Sequence, residues 1–294
     1  MITPFFSVIM PIFNRQSLVG IAIQSVLNQQ FIDFELICID DGSSDKTIEI
    51  VENFSKNDER IVLIKHFENK GRSAARNTGI RNAKGKWICF LDSDDIYYID
   101  HLSTHFILIA KNKDYLCFAT NQIVYSKPKK YPFSLNKTNK VITINNFIKH
   151  NFISLNQISI CNNIVLDFSP EEISYSEDLL FVRRVVLYNK LLLTNVVTTE
   201  VPVSSSRSLL TEDIIIIAQD NWKGAQEFCK ILTSNKLVNK ILSHTSLFCA
   251  SILISEGKKE VSLNYFKNSI KYKDSYFNVL FYKYLIKWIK PLLK

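Results

Sequence analysis

The chain has 294 residues, of which 47% are apolar, enough for one large domain with a sizeable core and a smaller second unit. None of the six cysteines lies in a C-x-x-C pair, which argues against a zinc site or a disulfide framework and indicates reduced core thiols. No signal peptide is evident, and we expect no apolar run long enough to span a bilayer. The net charge of +8 suggests an anionic partner surface, but no nucleic-acid recognition motif accompanies it.

Strands and helices alternate through the first hundred residues, joined by short loops. This order predicts an α/β fold with a mostly parallel sheet and helices on its faces. In chain order, the predicted elements are a strand at Ser7–Ile12, a helix at Leu18–Leu27, a strand at Phe34–Ile39, a helix at Ile48–Phe54, a strand at Ile61–Ile64, a helix at Arg72–Ala83 and a strand from Trp87.

The last of these strands runs directly into a cluster of carboxylates. Trp87–Asp95 reads W-I-C-F-L-D-S-D-D, and five consecutive apolar residues favour a strand buried on both faces. If the segment stays extended, Asp92 and Asp94 point the same way and can converge on one Mg²⁺ or Mn²⁺ ion. The alternative is a simple turn with a helix cap, which Asp and Ser also favour.

A second carboxylate pair, Asp40 and Asp41, follows the Phe34 strand. If the two strands are adjacent, both pairs line one cleft, where one can contact a base or ribose and the other a metal-bound diphosphate. A dinucleotide-binding Rossmann site is unlikely, because no G-x-G-x-x-G can be drawn from the seven glycines. Nor does Ser or Thr follow a Gly-Lys pair, so a P-loop is absent.

Five segments in order resemble the family-two inverting glycosyltransferases, which have the GT-A fold. They are S-V-I-M-P-I-F-N-R (7–15), I-D-D-G-S-S-D (39–45), N-K-G-R-S-A-A-R-N-T-G (69–79), F-L-D-S-D-D (90–95) and S-E-D-L-L-F-V-R-R (176–184). Each segment alone is weak, but the ordered set is specific and spans about two thirds of the chain. The resemblance implies a GT-A domain over residues 1–212, with its sheet, donor site and catalytic base.

The resemblance also implies roles on the donor side of the site. Pro11 and Asn14 would shape the loop under the nucleotide. Asp41 would bind the uracil or ribose, with Asp40 beside it. Arg72 would contact the nucleotide, while Arg76 would flank the cleft in a more structural role.

The remaining implied roles concern the diphosphate and the acceptor. Asp92-Ser93-Asp94 matches the D-x-D motif, with Asp94 as a ligand of Mn²⁺ or Mg²⁺ and Asp92 shared between the ribose and the metal. Asp178, with Glu177 beside it, matches the general base, since an inverting transfer needs a carboxylate to take the acceptor proton. The alternative for this pair is a solvated helix start. Arg207, in the segment 201–210, would reach the diphosphate if that segment is a lid, whereas a plain linker would give it no role.

The C-terminal third reads as helical, and we expect a small helical subdomain at 213–275. Residues 276–294 combine a broad apolar, aromatic face with a Lys stripe at helical spacing. A basic amphipathic helix of this kind favours an anionic membrane interface. The alternative is a core helix whose Lys stripe faces water.

Together these features predict an inverting glycosyltransferase with a UDP-sugar as the favoured donor and a glycan or lipid-linked acceptor. We expect it in the cytoplasm, peripheral on the inner face of the cell membrane, in bacterial surface polysaccharide or lipopolysaccharide synthesis. The enzyme alternative is a sugar-1-phosphate nucleotidyltransferase, against which the Gly-free loop after the first strand argues. The non-enzyme alternative is a nucleotide-sugar-binding module without turnover.

Overall fold

A computed structural model describes residues 3–126, 129–132, 140–150, 153–164, 167–168, 173, 176–202, 214–272 and 286. Within these ranges the chain forms one 10-stranded mixed sheet with helices on both faces. The main strand order is β3-β2-β1-β4-β9-β6-β10-β5, with β7 paired to β6 and β8 to β10. The first four strands in this order are mutually parallel, as the alternating sequence pattern predicts.

The predicted elements of the first hundred residues are confirmed to within a few residues. The strands are β1 Phe6–Ile12, β2 Phe34–Asp40, β3 Ile61–Lys65, β4 Trp87–Phe90, β5 Ile96–Tyr97, β6 Cys117–Ser126, β7 Lys129–Pro132, β8 Lys140–Ile142, β9 Ile158–Cys161 and β10 Leu191–Val201. The helices are α1 Val19–Leu27, α2 Thr47–Asn57, α3 Arg72–Asn82, α4 His101–Lys111, α5 Ile144–His150, α6 Glu177–Tyr188, α7 Ile214–Lys230, α8 Asn235–Ser255 and α9 Lys259–Lys271.

The central strands are mostly apolar because both of their faces are covered. Along β1, Val8 and Met10 pack with α1 and α2, whereas Ile9 between them packs with α3 and α6. Successive strand residues point to opposite faces, so a strand between two helical layers needs apolar residues at every position. All seven residues from Phe6 to Ile12 are buried, and the one hydroxyl among them, on Ser7, donates to Glu35 Oε1 at 2.6 Å.

The carboxylate pairs lie on strands that are not neighbours. Strand β1 lies between β2, which leads to Asp41, and β4, which leads to Asp92. The expectation of adjacent strands is therefore wrong, and the loop after β1 forms the floor between the two pairs. The segment after β4 is also not extended. Its backbone turns, with the Asp95 N–H donating to the Asp92 carbonyl at 3.0 Å, so the strand argument for convergent carboxylates fails.

Helices α7, α8 and α9 occupy the C-terminal region in which a helical subdomain was expected. Contrary to the sequence expectation, α8 is long and apolar enough to cross a membrane, and 61% of its most apolar window is buried inside the protein. That burial is what a core helix shows, and α8 packs with α7 and α9. The tail proposed to bind membranes, 276–294, lies outside the described residues except for Ile286.

Two helical glycines allow a matched test of packing between α3 and the sheet. A Cβ on Gly79 would lie 2.4 Å from Ile9 Cγ2, whereas one on Gly20 would make only ordinary contacts with Phe54 and Ile50. We expect Gly79→Ala to lower the free energy of unfolding by roughly 1 to 3 kcal/mol through overpacking. Gly20→Ala should raise it by about 0.5 to 1 kcal/mol. Urea denaturation of both variants measures this, and equal effects would contradict the close packing of α3.

Candidate active site

A cleft of about 750 Å³ opens where β1, β2 and β4 end, at the edge of the sheet predicted to carry the site. Eight of the predicted site residues line it: Pro11, Asp41, Arg72, Asp92, Ser93, Asp94, Glu177 and Asp178. Asn14 and Asp40 do not, and Arg207 lies outside the described residues. Residues that are far apart in the sequence thus meet in one cleft.

Asn14 and Asp40 lie behind the cleft and hold its loops in place. The Asn14 side chain accepts a hydrogen bond from the Ser44 N–H at 2.9 Å, which ties the loop after β1 to the loop after β2. Asn14 has a φ of 49°, a left-handed conformation that Asn tolerates better than most residues. Asp40 is fully buried and accepts from the Ser43 N–H at 3.1 Å. Direct contact of either residue with a donor remains a prediction.

Asp41 is held by hydrogen bonds from three donors. Its Oδ1 accepts from the Lys70 N–H at 3.0 Å and lies 2.7 Å from His66 Nδ1, and its Oδ2 accepts from the Gly71 N–H at 2.8 Å. These bonds fix the loop that leads into α3. Gly71 has a φ of 88°, so a side chain there would be strained even though the surrounding space is open.

The amino end of α3 is well suited to an anion. Gly71, Arg72 and Ser73 line the cleft at the start of this helix, where the helix dipole favours negative charge. The half-exposed Arg72 side chain adds a cation there, and its Nε lies 3.2 Å from Glu177 Oε1. This end of the cleft therefore combines the elements that bind a diphosphate.

A single guanidinium joins the two acidic segments of the site. Arg76 has no exposed side-chain surface, and it donates from Nη2 to Asp92 at 2.7 Å and from Nη1 to Asp178 at 2.7 Å. Glu177 Oε1 lies 3.3 Å from the same Nη1. Burial opposes the charge of Arg76, but the three carboxylates outweigh it and raise its pKa. Arg76 is thus a cationic link between the D-S-D turn and the start of α6.

The Glu177-Asp178 pair begins α6, but it is not the solvated helix start considered above. Glu177 is 3% exposed, and burial first, then the neighbouring Asp178 charge, raises its pKa to about 7. Asp178 retains 34% side-chain exposure and faces the cleft. Burial also raises the pKa of Asp178, against the opposing effect of Arg76. A carboxylate with a raised pKa that remains accessible has the properties of a general base.

Asp92 and Asp94 are the candidate metal ligands. Asp94 lines the cleft with 16% of its side chain exposed, and its Oδ2 lies 3.9 Å from Arg15 Nε. Among the described residues, no group of three or more His, Cys, Asp or Glu side chains could hold a metal. One or two carboxylates are, however, what Mg²⁺ usually takes from a protein when substrate phosphates complete its shell. The donor set of Asp92 and Asp94 therefore fits such an ion.

Sequence reasoning missed several side chains around the cleft. Asn156 donates to the buried Asp95 at 2.6 Å, which joins the D-S-D-D turn to the segment before β9. Ser154 donates to Gln122 at 2.8 Å on the same wall. These polar residues carried no motif. Arg15 and Lys70, by contrast, stand inside two of the quoted segments, so their positions beside the cleft could have been inferred.

Comparison with known proteins places the chain in a family. The model of the family described as "Glycosyl transferase family 2" matches residues 7–165, more than half of the chain. An Escherichia coli protein named UDP-Glc:alpha-D-GlcNAc-diphosphoundecaprenol beta-1,3-glucosyltransferase WfgD is 38% identical over 118 residues, 40% of this chain and 46% of the relative. A Campylobacter jejuni GalNAc(5)-diNAcBac-PP-undecaprenol beta-1,3-glucosyltransferase is 45% identical over 105 residues, 34% of this chain and 33% of that protein. The chain thus matches less than half the length of each.

Solved structures are similar over almost the whole chain. S. aureus TarS 1-349 in complex with UDP-GlcNAc superposes with a TM-score of 0.68 at 17% identity. The match covers 96% of this chain and 91% of the TarS chain. The mannosyltransferase PcManGT from Pyrobaculum calidifontis, in complex with GDP-Man and Mn²⁺, superposes with a TM-score of 0.63 at 13% identity. The match covers 98% of this chain and 88% of the PcManGT chain. At these identities the similarity concerns the fold alone.

The burial of Glu177 predicts a pH dependence of stability. A carboxyl whose pKa is raised on folding stabilises the protein below its unfolded pKa of 4.5, and this contribution is lost as the pH rises through about 7. Over that window we expect wild type to lose roughly 1 to 3 kcal/mol of unfolding free energy relative to Glu177→Gln. Denaturant titrations at pH 4.5 to 7.5 measure the difference.

The matched control is Glu52→Gln on the surface of α2. Lys65 lowers the pKa of Glu52, so the small contribution of Glu52 to the unfolding free energy is lost as the pH falls. This pH dependence is opposite in sign to that of Glu177. If the unfolding free energies of wild type and Glu177→Gln changed in parallel with pH, Glu177 would not be protonated on folding.

Proposed function

Because the chain belongs to glycosyl transferase family 2 and has the GT-A fold, we propose that it is an inverting, metal-dependent transferase that uses a UDP-sugar. The observation that carries the proposal is the convergence of the D-S-D turn, the Glu177-Asp178 pair and the amino end of α3 on one cleft. It combines an anion-binding end with an accessible carboxylate of raised pKa. The family match also favours this function over the nucleotidyltransferase alternative.

In the proposed reaction, Asp178 accepts the proton of the acceptor hydroxyl as the oxygen attacks the anomeric carbon of the donor sugar. Its accessible carboxylate and raised pKa suit that role. Arg76 orients Asp178 through the 2.7 Å hydrogen bond, and Glu177 balances the charges of Arg76 and Arg72 behind it. No side chain is needed as a nucleophile, since inversion proceeds by a single displacement.

On the donor side, the nucleotide would lie across Pro11 and Asp41, and its diphosphate would lie near Arg72. Asp94, together with Asp92, would hold Mn²⁺ or Mg²⁺, and the bound ion would offset the charge of the departing diphosphate. The Mn²⁺ in the complex of the structurally similar mannosyltransferase supports this assignment. Arg207 would join the diphosphate site if the segment 201–210 acts as a lid.

For the acceptor, we propose a glycan or lipid-linked saccharide, as in the names of the E. coli and Campylobacter relatives. Such an acceptor lies at a membrane, which agrees with a cytoplasmic enzyme held on the inner face of the cell membrane by residues 276–294. We assign it to the synthesis of bacterial surface polysaccharide or lipopolysaccharide. Residues 1–212 would be the catalytic domain and 213–275 a helical subdomain.

The first test is a calorimetric titration of UDP with and without Mn²⁺. We expect binding to strengthen at least about tenfold with Mn²⁺, since one or two carboxylates and the diphosphate together would complete its shell. Asp94→Asn should lose most of this enhancement and keep metal-free binding. The control Asp114→Asn changes a carboxylate on the loop after α4 that is not part of the cleft lining. Absence of UDP binding in both conditions would contradict the proposal.

The second test separates catalysis from binding. Asp178→Asn keeps the size of the side chain but removes the base, so we expect transfer from UDP-sugar to an undecaprenyl-diphosphate-linked acceptor to fall by about 10²- to 10⁴-fold. UDP affinity should change little. Full activity in this variant would refute the base assignment. UDP binding by wild type without any transfer or donor hydrolysis would favour the non-catalytic binding module.

A further inference from the structure

His66 is a buried residue beside the cleft to which sequence reasoning assigned no role. It directly follows β3, and its backbone N–H donates to the Asp40 carbonyl at 2.8 Å. Its ring lies between two polar groups, with Nδ1 2.7 Å from Asp41 Oδ1 and Nε2 3.0 Å from Thr78 Oγ1. The side chain is only 9% exposed, so the ring is held in place.

The distance to Asp41 determines where the proton of His66 lies. A carboxylate oxygen only accepts hydrogen bonds, so a contact of 2.7 Å requires the proton on Nδ1. If the ring is neutral, Nε2 then accepts from the Thr78 hydroxyl. Thr78 is compatible with the tautomer in which His66 donates to Asp41, because its hydroxyl can donate to Nε2.

The three donors leave Asp41 with limited capacity for a ligand. A carboxylate has about four acceptor positions, two on each oxygen. Both positions on Oδ1 are used, by His66 and by the Lys70 N–H, and one on Oδ2 is used by the Gly71 N–H. Asp41 lines the cleft, so the remaining position on Oδ2 is what it offers to a ligand.

We propose that His66 is a specificity-determining residue that, by occupying Asp41 Oδ1, makes the site select uracil over guanine. This inference rests on the proposed function, in which Asp41 binds the base of the donor. Uracil presents one N–H at its pairing edge, N3–H, which matches one acceptor. Guanine presents two neighbouring donors, N1–H and the 2-amino group, which require two acceptors. The 2-amino group would then be buried without a partner, which is costly.

The site also disfavours the other bases on the same grounds. Cytosine and adenine carry an unprotonated ring nitrogen at the equivalent position. This nitrogen is a hydrogen-bond acceptor, and so is the carboxylate oxygen of Asp41, so the two cannot form a hydrogen bond. Hypoxanthine, the base of inosine, has the N1–H of guanine but no 2-amino group. Inosine diphosphate therefore differs from GDP only in the donor that Asp41 cannot satisfy, which makes the two nucleotides a direct probe.

The experiment is a set of calorimetric or competition titrations of the full chain with UDP, 3-methyluridine diphosphate, inosine diphosphate and GDP, at fixed Mn²⁺. In wild type we expect UDP to bind tightest, and GDP to bind about tenfold more weakly than inosine diphosphate, the effect of one unpaired donor. Methylation of N3 should weaken UDP binding at least about tenfold, because it removes the N–H that Asp41 accepts.

The variants His66→Leu and His66→Asn isolate the role of the ring. Leu frees the acceptor on Oδ1, so we expect the tenfold penalty on GDP relative to inosine diphosphate to fall to about threefold or less. Asn places an amide N–H near the position of Nδ1 and should retain the penalty. Thermal unfolding monitors the fold of each variant, and the wild-type comparison of the four nucleotides stands even if a variant does not fold.

The outcomes separate the inference from the proposed function. Equal or tighter binding of GDP than of inosine diphosphate in wild type would overturn the role of His66, as would an unchanged penalty in folded His66→Leu. In either case, Mn²⁺-enhanced UDP binding would leave the proposed function intact. If none of the four nucleotides binds, the proposed function itself fails, and with it the basis for assigning His66.

Discussion

The arrangement of the cleft depends on one buried cation, Arg76, and the three carboxylates around it. A buried guanidinium needs compensating negative charge, and Arg76 reaches Asp92, Glu177 and Asp178 from α3 through its two Nη atoms. These carboxylates come from a turn after β4 and from a helix more than eighty residues later in the chain. The same ion pairs that keep Arg76 buried therefore hold the D-S-D turn and the start of α6 at a fixed spacing.

A second set of contacts, made by Asp41, fixes the start of α3 independently of Arg76. Asp41 draws the Lys70 and Gly71 N–H groups toward β2, and this positions the first turn of α3. Arg72 and Arg76 lie one helical turn apart on α3. Fixing the first turn of this helix therefore also fixes the positions of both cations relative to the sheet. Helix α3 thus connects the two networks, which explains why its face toward the sheet requires Gly79.

Much of the sheet and the location of the site could be predicted, because buried parallel strands have a strong signature in sequence. The strands ending near Asp41 and Asp92, and the edge at which they meet, follow from apolar runs that stop at carboxylates. The strand order could not be read from local pattern, since pairing is decided by long-range contacts, and β1 was not placed between β2 and β4. Similarly, nothing local distinguishes the buried Glu177 from a solvated helix start. The cations that pair with it, Arg72 and Arg76, come from α3, about a hundred residues earlier in the chain.

The position of α6 between two cores has a consequence for modularity. Its residues Phe181 and Val182 pack on the sheet, whereas Leu180 packs with Ala225 and Phe228 of α7. At its amino end, Ser176 donates to the Asp220 carbonyl at 3.0 Å, and a Cβ on Gly224 would lie 2.9 Å from the Ser176 hydroxyl. Further along, Arg183 reaches Thr245 on α8. Ser176, which directly precedes the Glu177-Asp178 pair, is therefore held against a helix beyond the matched family region. A C-terminal segment transplanted from a relative would therefore have to accommodate Ser176 to keep the start of α6 in place.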